Sequence, residues 1–168
     1  RRYASAMSSP VRGVWMGGNP EPANSVFTNI DYITIASKGN ALDFGDLTAN
    51  GSGQSARRHA TAALSSSIRG ICAGGRQNPG DVNTIEYITI ASLGDGIDFG
   101  DMQNVTRYPT GTSNGVRGVI AGGTINPAVS NTIDYITIAS TGNAVDFGIL
   151  IGISLIDLSL IHISEPTR

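Results

Sequence analysis

Tyr32-Ile33-Thr34-Ile35-Ala36-Ser37 returns as Tyr87-Ile88-Thr89-Ile90-Ala91-Ser92 and again as Tyr135-Ile136-Thr137-Ile138-Ala139-Ser140. A β-favouring run that recurs unchanged in three places marks one strand of a repeating unit. Eleven residues after each tyrosine an aspartate opens Asp-Phe-Gly, with the aromatics at Phe44, Phe99 and Phe147. Upstream of each tyrosine stands Arg-Gly, at Arg12-Gly13, Arg69-Gly70 and Arg117-Gly118. A double glycine follows each, at Gly17-Gly18, Gly74-Gly75 and Gly122-Gly123. Further upstream an arginine precedes an aromatic or a histidine, in Arg2-Tyr3, Arg58-His59 and Arg107-Tyr108.

Each unit holds four strand-like runs. The first are 3–9, 59–66 and 108–113, and the second are 11–16, 68–73 and 116–121. The third are 30–36, 85–91 and 133–139, and the fourth are 41–47, 96–102 and 144–147. Glycine, asparagine and proline punctuate the gaps, and no 3.6-residue period persists, so the chain is expected to be all-β. In the third run Ile30, Tyr32, Thr34 and Ala36 fall on one face, and Asp31, Ile33, Ile35 and Ser37 on the other. Neither face is cleanly polar, which predicts a sheet covered on both sides. Ser37-Lys38-Gly39-Asn40 and its counterparts supply turn chemistry between the third and fourth runs.

Composition narrows the function classes. The 168 residues include 22 glycines, only 14% are charged, and the net charge is -2. An average globular chain carries about 25% charged residues. The near-neutral balance argues against a broad basic nucleic-acid footprint, so no nucleic-acid partner is expected. One cysteine excludes an intrachain disulfide and a cysteine-based zinc site, and two histidines leave little for a metal cluster. The apolar stretch 149–163 contains Asp157 and falls short of the about 20 residues a span needs, so no membrane association is expected.

The arginine with its aromatic, the apolar run ending in Gly-Gly, the tyrosine-bearing strand and the later aromatic resemble a kelch repeat, in three copies over 1–148. The tyrosine-to-tyrosine periods of 55 and 48 residues suit a blade of about 50 residues. The fourth strand departs from the family, with phenylalanine where tryptophan is usual. The style of repetition is similar to tandem-repeat virion or tail proteins of marine phages. The resemblance implies a partial kelch-like β-propeller, three four-stranded blades in an open arc. The blades are 1–49, 55–103 and 104–148, and the rest of a ring of about four to eight blades lies elsewhere in a parent chain. Beyond Gly148 the repeat predicts Asp-Leu or Asp-Met and the chain has Ile149-Leu150. Residues 149–168 are expected to be a non-native tail. Leu158-Ser-Leu-Ile-His-Ile-Ser-Glu-Pro-Thr-Arg168 resembles a translated transposase adapter from DNA library preparation. With Arg1 in place of a start methionine, the chain is expected to be a piece of a longer reading frame.

Candidate chemistry is sparse. Asp-Phe-Gly is a kinase signature, but here it recurs without a phosphate loop or a His-Arg-Asp loop, and reads as an aromatic wedge before a glycine bend. Asp43/Asp46 and Asp98/Asp101 offer too few oxygens to specify calcium. Arg12, Arg69 and Arg117 match Asp31, Glu86 and Asp134 in number, which predicts pairing across adjacent strands through the planar guanidinium. Gripping an anion near a propeller axis is the competing role. Cys72 aligns with Trp15 and Ile120 and is expected in the core. His59 is taken to align with Tyr3 and Tyr108 as a packing aromatic. No residue is expected to be catalytic, and no cofactor or metal is expected.

Loops that differ between copies are the expected partner surface. They carry Asn19-Pro20, Asn78-Pro79 and Asn126-Pro127, and the linker 48–57 is rich in glycine, serine and asparagine. The expected function is a structural or binding module of a virion, tail or adhesin, in a virion or extracellular setting. It would take a protein or glycan ligand and join the remaining blades of its parent. The alternative is the scaffold of a larger propeller enzyme whose catalytic residues lie outside this chain.

Overall fold

A computed structural model describes residues 1–19, 27–48, 58–77 and 80–151. Every helix or strand among them is a strand. The first sheet is an antiparallel meander of β1 (Ser5–Ser8), β2 (Arg12–Met16), β3 (Asn29–Thr34) and β4 (Leu42–Asp46). The second repeats it with β5 (Ala62–Ser65), β6 (Arg69–Ala73), β7 (Thr84–Thr89) and β8 (Ile97–Asp101). In the third, β9 (Thr110–Ser113) and β10 (Arg117–Ala121) lead into a small hairpin of β11 (Thr124–Ile125) and β12 (Ala128–Val129). The sheet then resumes with β13 (Thr132–Thr137) and β14 (Val145–Ile149). The sheets converge at their first strands, where Ser65 Oγ donates to Ser8 O at 2.8 Å and Ser113 Oγ donates to Ser65 O at 2.6 Å. None closes into a barrel, and the result is an all-β, propeller-like open arc of three blades.

Asp-Phe-Gly builds a bulge. Ile30 pairs with Gly45 and Asp31 with Asp43, so Phe44 is an extra residue in the ladder, and the register shifts identically at Phe99 and Phe147. A bulge re-aims a side chain. Here it brings each phenylalanine edge-on to the tyrosine of the neighbouring strand. The centroid distances are 5.9 Å for Tyr32–Phe44, 6.1 Å for Tyr87–Phe99 and 5.9 Å for Tyr135–Phe147.

The core is divided between two seams. Met7, Val14, Met16, Ile30 and Phe44 of the first blade pack against Cys72, Ile88 and Ile90 of the second. Leu64, Ile71, Ile85 and Phe99 of the second pack against Ile120, Ile136 and Ile138 of the third. The middle blade is therefore apolar on both faces. Burying a side chain of this size stabilises by about 1.5–3 kcal/mol, so the seams supply most of the driving force.

The first strands start two or more residues later than the sequence predicts, because Tyr3 and Tyr108 sit at φ 57 and leave the ladder. The third sheet runs past the expected limit at 148. Thr132 pairs with Ile149, and Leu150 N donates to Asn131 O at 2.6 Å, as Leu47 N does to Thr28 O at 2.9 Å. Ladder pairing uses only main-chain atoms, so losing Asp-Leu from the pattern does not end the strand.

Candidate functional site

Arg12, Arg69 and Arg117 each lie over a ring. Their Cζ atoms are 4.6, 4.4 and 4.6 Å from the centroids of Tyr32, Tyr87 and Tyr135. Arg12 Nη1 also donates to Ile90 O of the second blade at 2.7 Å, and Arg69 Nη1 donates to Ile138 O of the third at 3.0 Å. These arginines do not pair with Asp31, Glu86 and Asp134, which corrects the sequence expectation. Arg12 stands opposite Thr34, and Asp31 stands opposite Trp15. An odd offset in register puts the arginine and the acid on opposite faces of the sheet.

The acids have other partners. Asp31 meets Arg1 at 2.7 Å. Glu86 meets Arg58, and both side chains are buried. Arg58 Nη1 also donates to Thr84 O at 3.0 Å, while Thr48 N donates to Glu86 Oε1 at 2.8 Å from the blade before. In the third blade Gln103 N donates to Asp134 Oδ2 at 3.3 Å, but Thr106 stands where the arginine would be. Burial therefore raises the Asp134 carboxyl above its ordinary range, and Asp146 adds to the rise.

The equivalence of Arg1, Arg58 and Thr106 also corrects the place of His59. Tyr3, Ala60 and Tyr108 share φ 57 and stand at one constant distance before Gly17, Gly74 and Gly122. His59 thus corresponds to Arg2 and Arg107, not to the tyrosines. The bridges Arg2–Asn19, His59–Arg76 and Arg107–Thr124 repeat the same pairing.

The double glycines fill a backbone role. Gly18 N donates to Arg58 O and Gly75 N to Thr106 O, each at 2.8 Å. A Cβ on Gly74 would stand 2.7 Å from Thr106 O, and the φ of 61 favours glycine in any case. The next blade approaches too closely for a side chain. Gly122 and Gly123 repeat this conformation at φ 68 and 92, with no following blade against them among the described residues.

The lead-in segments and the β2–β3 type loops meet at one end of the arc. Tyr3 and Tyr108 are half exposed there, edge to face at 5.8 Å, and the His59 ring lies 6.2 Å from Tyr3. Burial, then Arg76 and Arg2, pushes the His59 pKa down, which favours the neutral imidazole. Among the described residues, most of the buried side-chain polar atoms without a hydrogen-bond partner belong to this end: Asn19 Oδ1, His59 Nδ1, Gln77 Oε1, Asp81 Oδ1 and Arg107 Nε. Asn126 and Pro127 lie exposed in the β11–β12 turn of the same end. Pro20, Asn78, Pro79 and most of the linker 48–57 lie outside the described residues.

Other candidate chemistry is absorbed by structure. Cys72 is fully buried opposite Glu86, and burial raises its thiol pKa. Asp46 accepts from Thr28 Oγ1 at 2.6 Å. Among the described residues no three His, Cys, Asp or Glu side chains gather as a metal site. A cleft of about 330 Å³ between Arg1, Trp15, Asp31 and Ile33 lies on the uncovered face of the first blade, and one of about 400 Å³ opens beside Arg12 and Ile90.

The inter-blade carbonyl partners escape sequence reasoning because each lies one repeat away, and the Arg58–Glu86 pair, 28 residues apart within one blade, escapes it because the sequence reading aligns Arg58 with Arg2 and Arg107 rather than with Arg1. The constant spacing to Gly-Gly was the signal that could have aligned Arg58 with Arg1. No protein-family model matches the chain, and no curated protein matches it.

Proposed function

We propose that the chain is a non-catalytic structural and binding module, three blades of a larger kelch-like propeller of the virion, tail or surface-adhesin kind. It takes its ligand at the loop-bearing end of the arc. The observation that carries this reading is a division of labour among residues. Arginine, Gly-Gly, tyrosine and Phe-Gly are the same in every blade, and in the first two blades the arginine, the Gly-Gly and the Phe-Gly meet the next blade. What differs between blades converges at one end, as exposed tyrosine rings beside buried polar atoms that lack a hydrogen-bond partner. Exposed aromatic faces next to fixed donors and acceptors suit a sugar, whose ring carries apolar C–H faces and a fringe of hydroxyls.

The reading is tested on a glycan array, followed by titration of any hit against Tyr3→Ala and Tyr108→Ala. Ala60 occupies the equivalent position at the same φ, so alanine is compatible with the fold there. Loss of glycan binding with an unchanged circular dichroism spectrum is the expected result. Binding that survives both changes, or binding to protein baits only, overturns the glycan assignment. The virion and adhesin setting is tested by the genes flanking the full reading frame: capsid, tail or adhesin genes support it, and a metabolic operon refutes it.

A further inference from the structure

The loop-bearing end holds a cationic cluster that the blade seams do not use. The Arg76 main chain bridges to His59 on one side and to Asp81 on the other. His59 N donates to Arg76 O at 3.2 Å, and Arg76 N donates to His59 O at 2.8 Å. Thr106 N donates to Val82 O at 3.2 Å, which seats the lead-in of the third blade beside Asp81. Arg107 Nε then lies 3.9 Å from Asp81 Oδ2. The cluster belongs to the β6–β7 loop of the second blade and the lead-in of the third, and the Tyr3 ring of the first blade lies 6.2 Å from His59. All of these contacts are internal to the arc.

Charge and hydrogen bonding are both unbalanced there. Two guanidiniums, of Arg76 and Arg107, face one carboxylate, and burial favours the neutral form of His59. The Arg76 side chain is exposed, and its guanidinium has no hydrogen bond or ion pair among the described residues. Arg107 meets Asp81 beyond hydrogen-bonding distance, and its buried Nε makes no hydrogen bond. The Asp81 side chain is 12% exposed, yet its Oδ1 accepts nothing, and neither does Gln77 Oε1 or His59 Nδ1. Buried polar atoms are normally satisfied. A ligand that brings one negative charge together with several hydroxyl donors satisfies these atoms at once. The guanidinium fork suits a planar pair of oxyanion oxygens. A phosphate monoester, at about two charges, exceeds the single cation in excess.

We propose that this cluster selects an acidic sugar, one carrying a single carboxylate or sulfate ester, over its neutral counterpart. The oxyanion lies on Arg76 and Arg107, ring hydroxyls donate to Gln77, Asp81 and His59, and the tyrosine rings meet the C–H face. The proposal rests on the glycan reading above and names the ligand class of that same end.

The test is a glycan array of uronates, sialosides and sulfated sugars, each beside its methyl ester or desulfated form, with the full chain applied. Hits should fall among the charged forms, and their kind, carboxylate or sulfate, identifies the source of the charge. Each hit is then titrated by calorimetry against Arg76→Gln and Arg117→Gln. Both remove one positive charge, but Arg117 opens β10, at the opposite end of that strand from Gly122-Gly123 and the loops. Arg76→Gln should raise the dissociation constant at least about tenfold, through loss of a charge-assisted hydrogen bond. Arg117→Gln should change it less than about twofold, because salt screens a charge that far away. Arg76 is exposed and holds the fold through main-chain atoms, so an unchanged circular dichroism spectrum is expected. Neutral forms that bind as tightly as charged ones overturn the acidic class and leave the glycan reading standing. Equal effects of the two variants, or none from either, overturn the placement of the charge. An array with no glycan hit overturns the glycan reading, and this inference with it.

Discussion

Gly100 and Gly148 form an internal control. Both follow a bulged phenylalanine, both pair with an isoleucine on the adjacent strand, and their φ values are 142 and 140. They differ in what lies beyond. A Cβ on Gly100 would stand 2.5 Å from Gly142 O and 2.9 Å from Asn143 N, and a Cβ on Gly148 would meet nothing within 4 Å. Replacing either by alanine forces an L-residue into the same unfavourable backbone region, at a shared cost of about 1–3 kcal/mol. Only Gly100→Ala drives backbone against backbone. Neither partner can swing aside, so the second seam must part where Gly142 N meets Phe99 O and Ala144 N meets Asp101 O. Two hydrogen bonds at about 1 kcal/mol each, with overpacking of the same order, put the excess cost of Gly100→Ala at about 2–4 kcal/mol. That is a large part of a stability of about 5–15 kcal/mol. Urea unfolding of both variants at low micromolar concentration measures it, through the midpoints and slopes. Equal destabilisation within about 0.5 kcal/mol would refute the idea that next-blade approach, and not local φ alone, demands glycine here.

Arg58→Met should destabilise by about 3–5 kcal/mol, because Glu86 is left buried and charged, and adding Glu86→Leu should restore most of the loss; a single-variant cost under about 1 kcal/mol in chemical denaturation contradicts this. Asp134 has a folded pKa above its unfolded one. Its contribution is therefore most favourable at low pH and is lost as pH rises from the ordinary aspartate range through the raised folded value. Asp134→Asn removes that penalty, so its stability relative to wild type should grow over the same window in paired urea melts. A gap independent of pH between the two proteins would show that Asp134 ionises freely.

The repeat made the architecture legible because each strand was present in triplicate. The third strands predicted at 30–36, 85–91 and 133–139 are observed one residue earlier at their starts and two earlier at their ends, since residues such as Ile35 and Ala36 turn toward the next strand. The mixed faces of these strands correctly pointed to cover on both sides, which the middle blade has. The roles of Arg12 and Arg69 were not legible. A composition match to acids within one repeat favoured a local pair, while the actual acceptor, a main-chain carbonyl of the next blade, leaves no trace in side-chain identity. Thr106 was equally hidden: one residue of slippage put Arg107 in its place and concealed that Asp134 lacks a guanidinium. The β11–β12 hairpin is too short for an alternating pattern to register.

The arginine contacts all point the same way along the chain, from Arg12 to the second blade and from Arg69 to the third. Assembly therefore has a polarity that matches synthesis. When the first blade leaves the ribosome its arginine is unanchored, and the emergence of β7 and the turn after it supplies the acceptor at Ile90. The third blade then does the same for Arg69. Each newcomer finishes its predecessor, so incompleteness travels with the growing end. Of the three blades described, the third is the one whose arginine reaches no carbonyl of a neighbouring blade among the described residues, and fraying of this arc should begin there under load or heat.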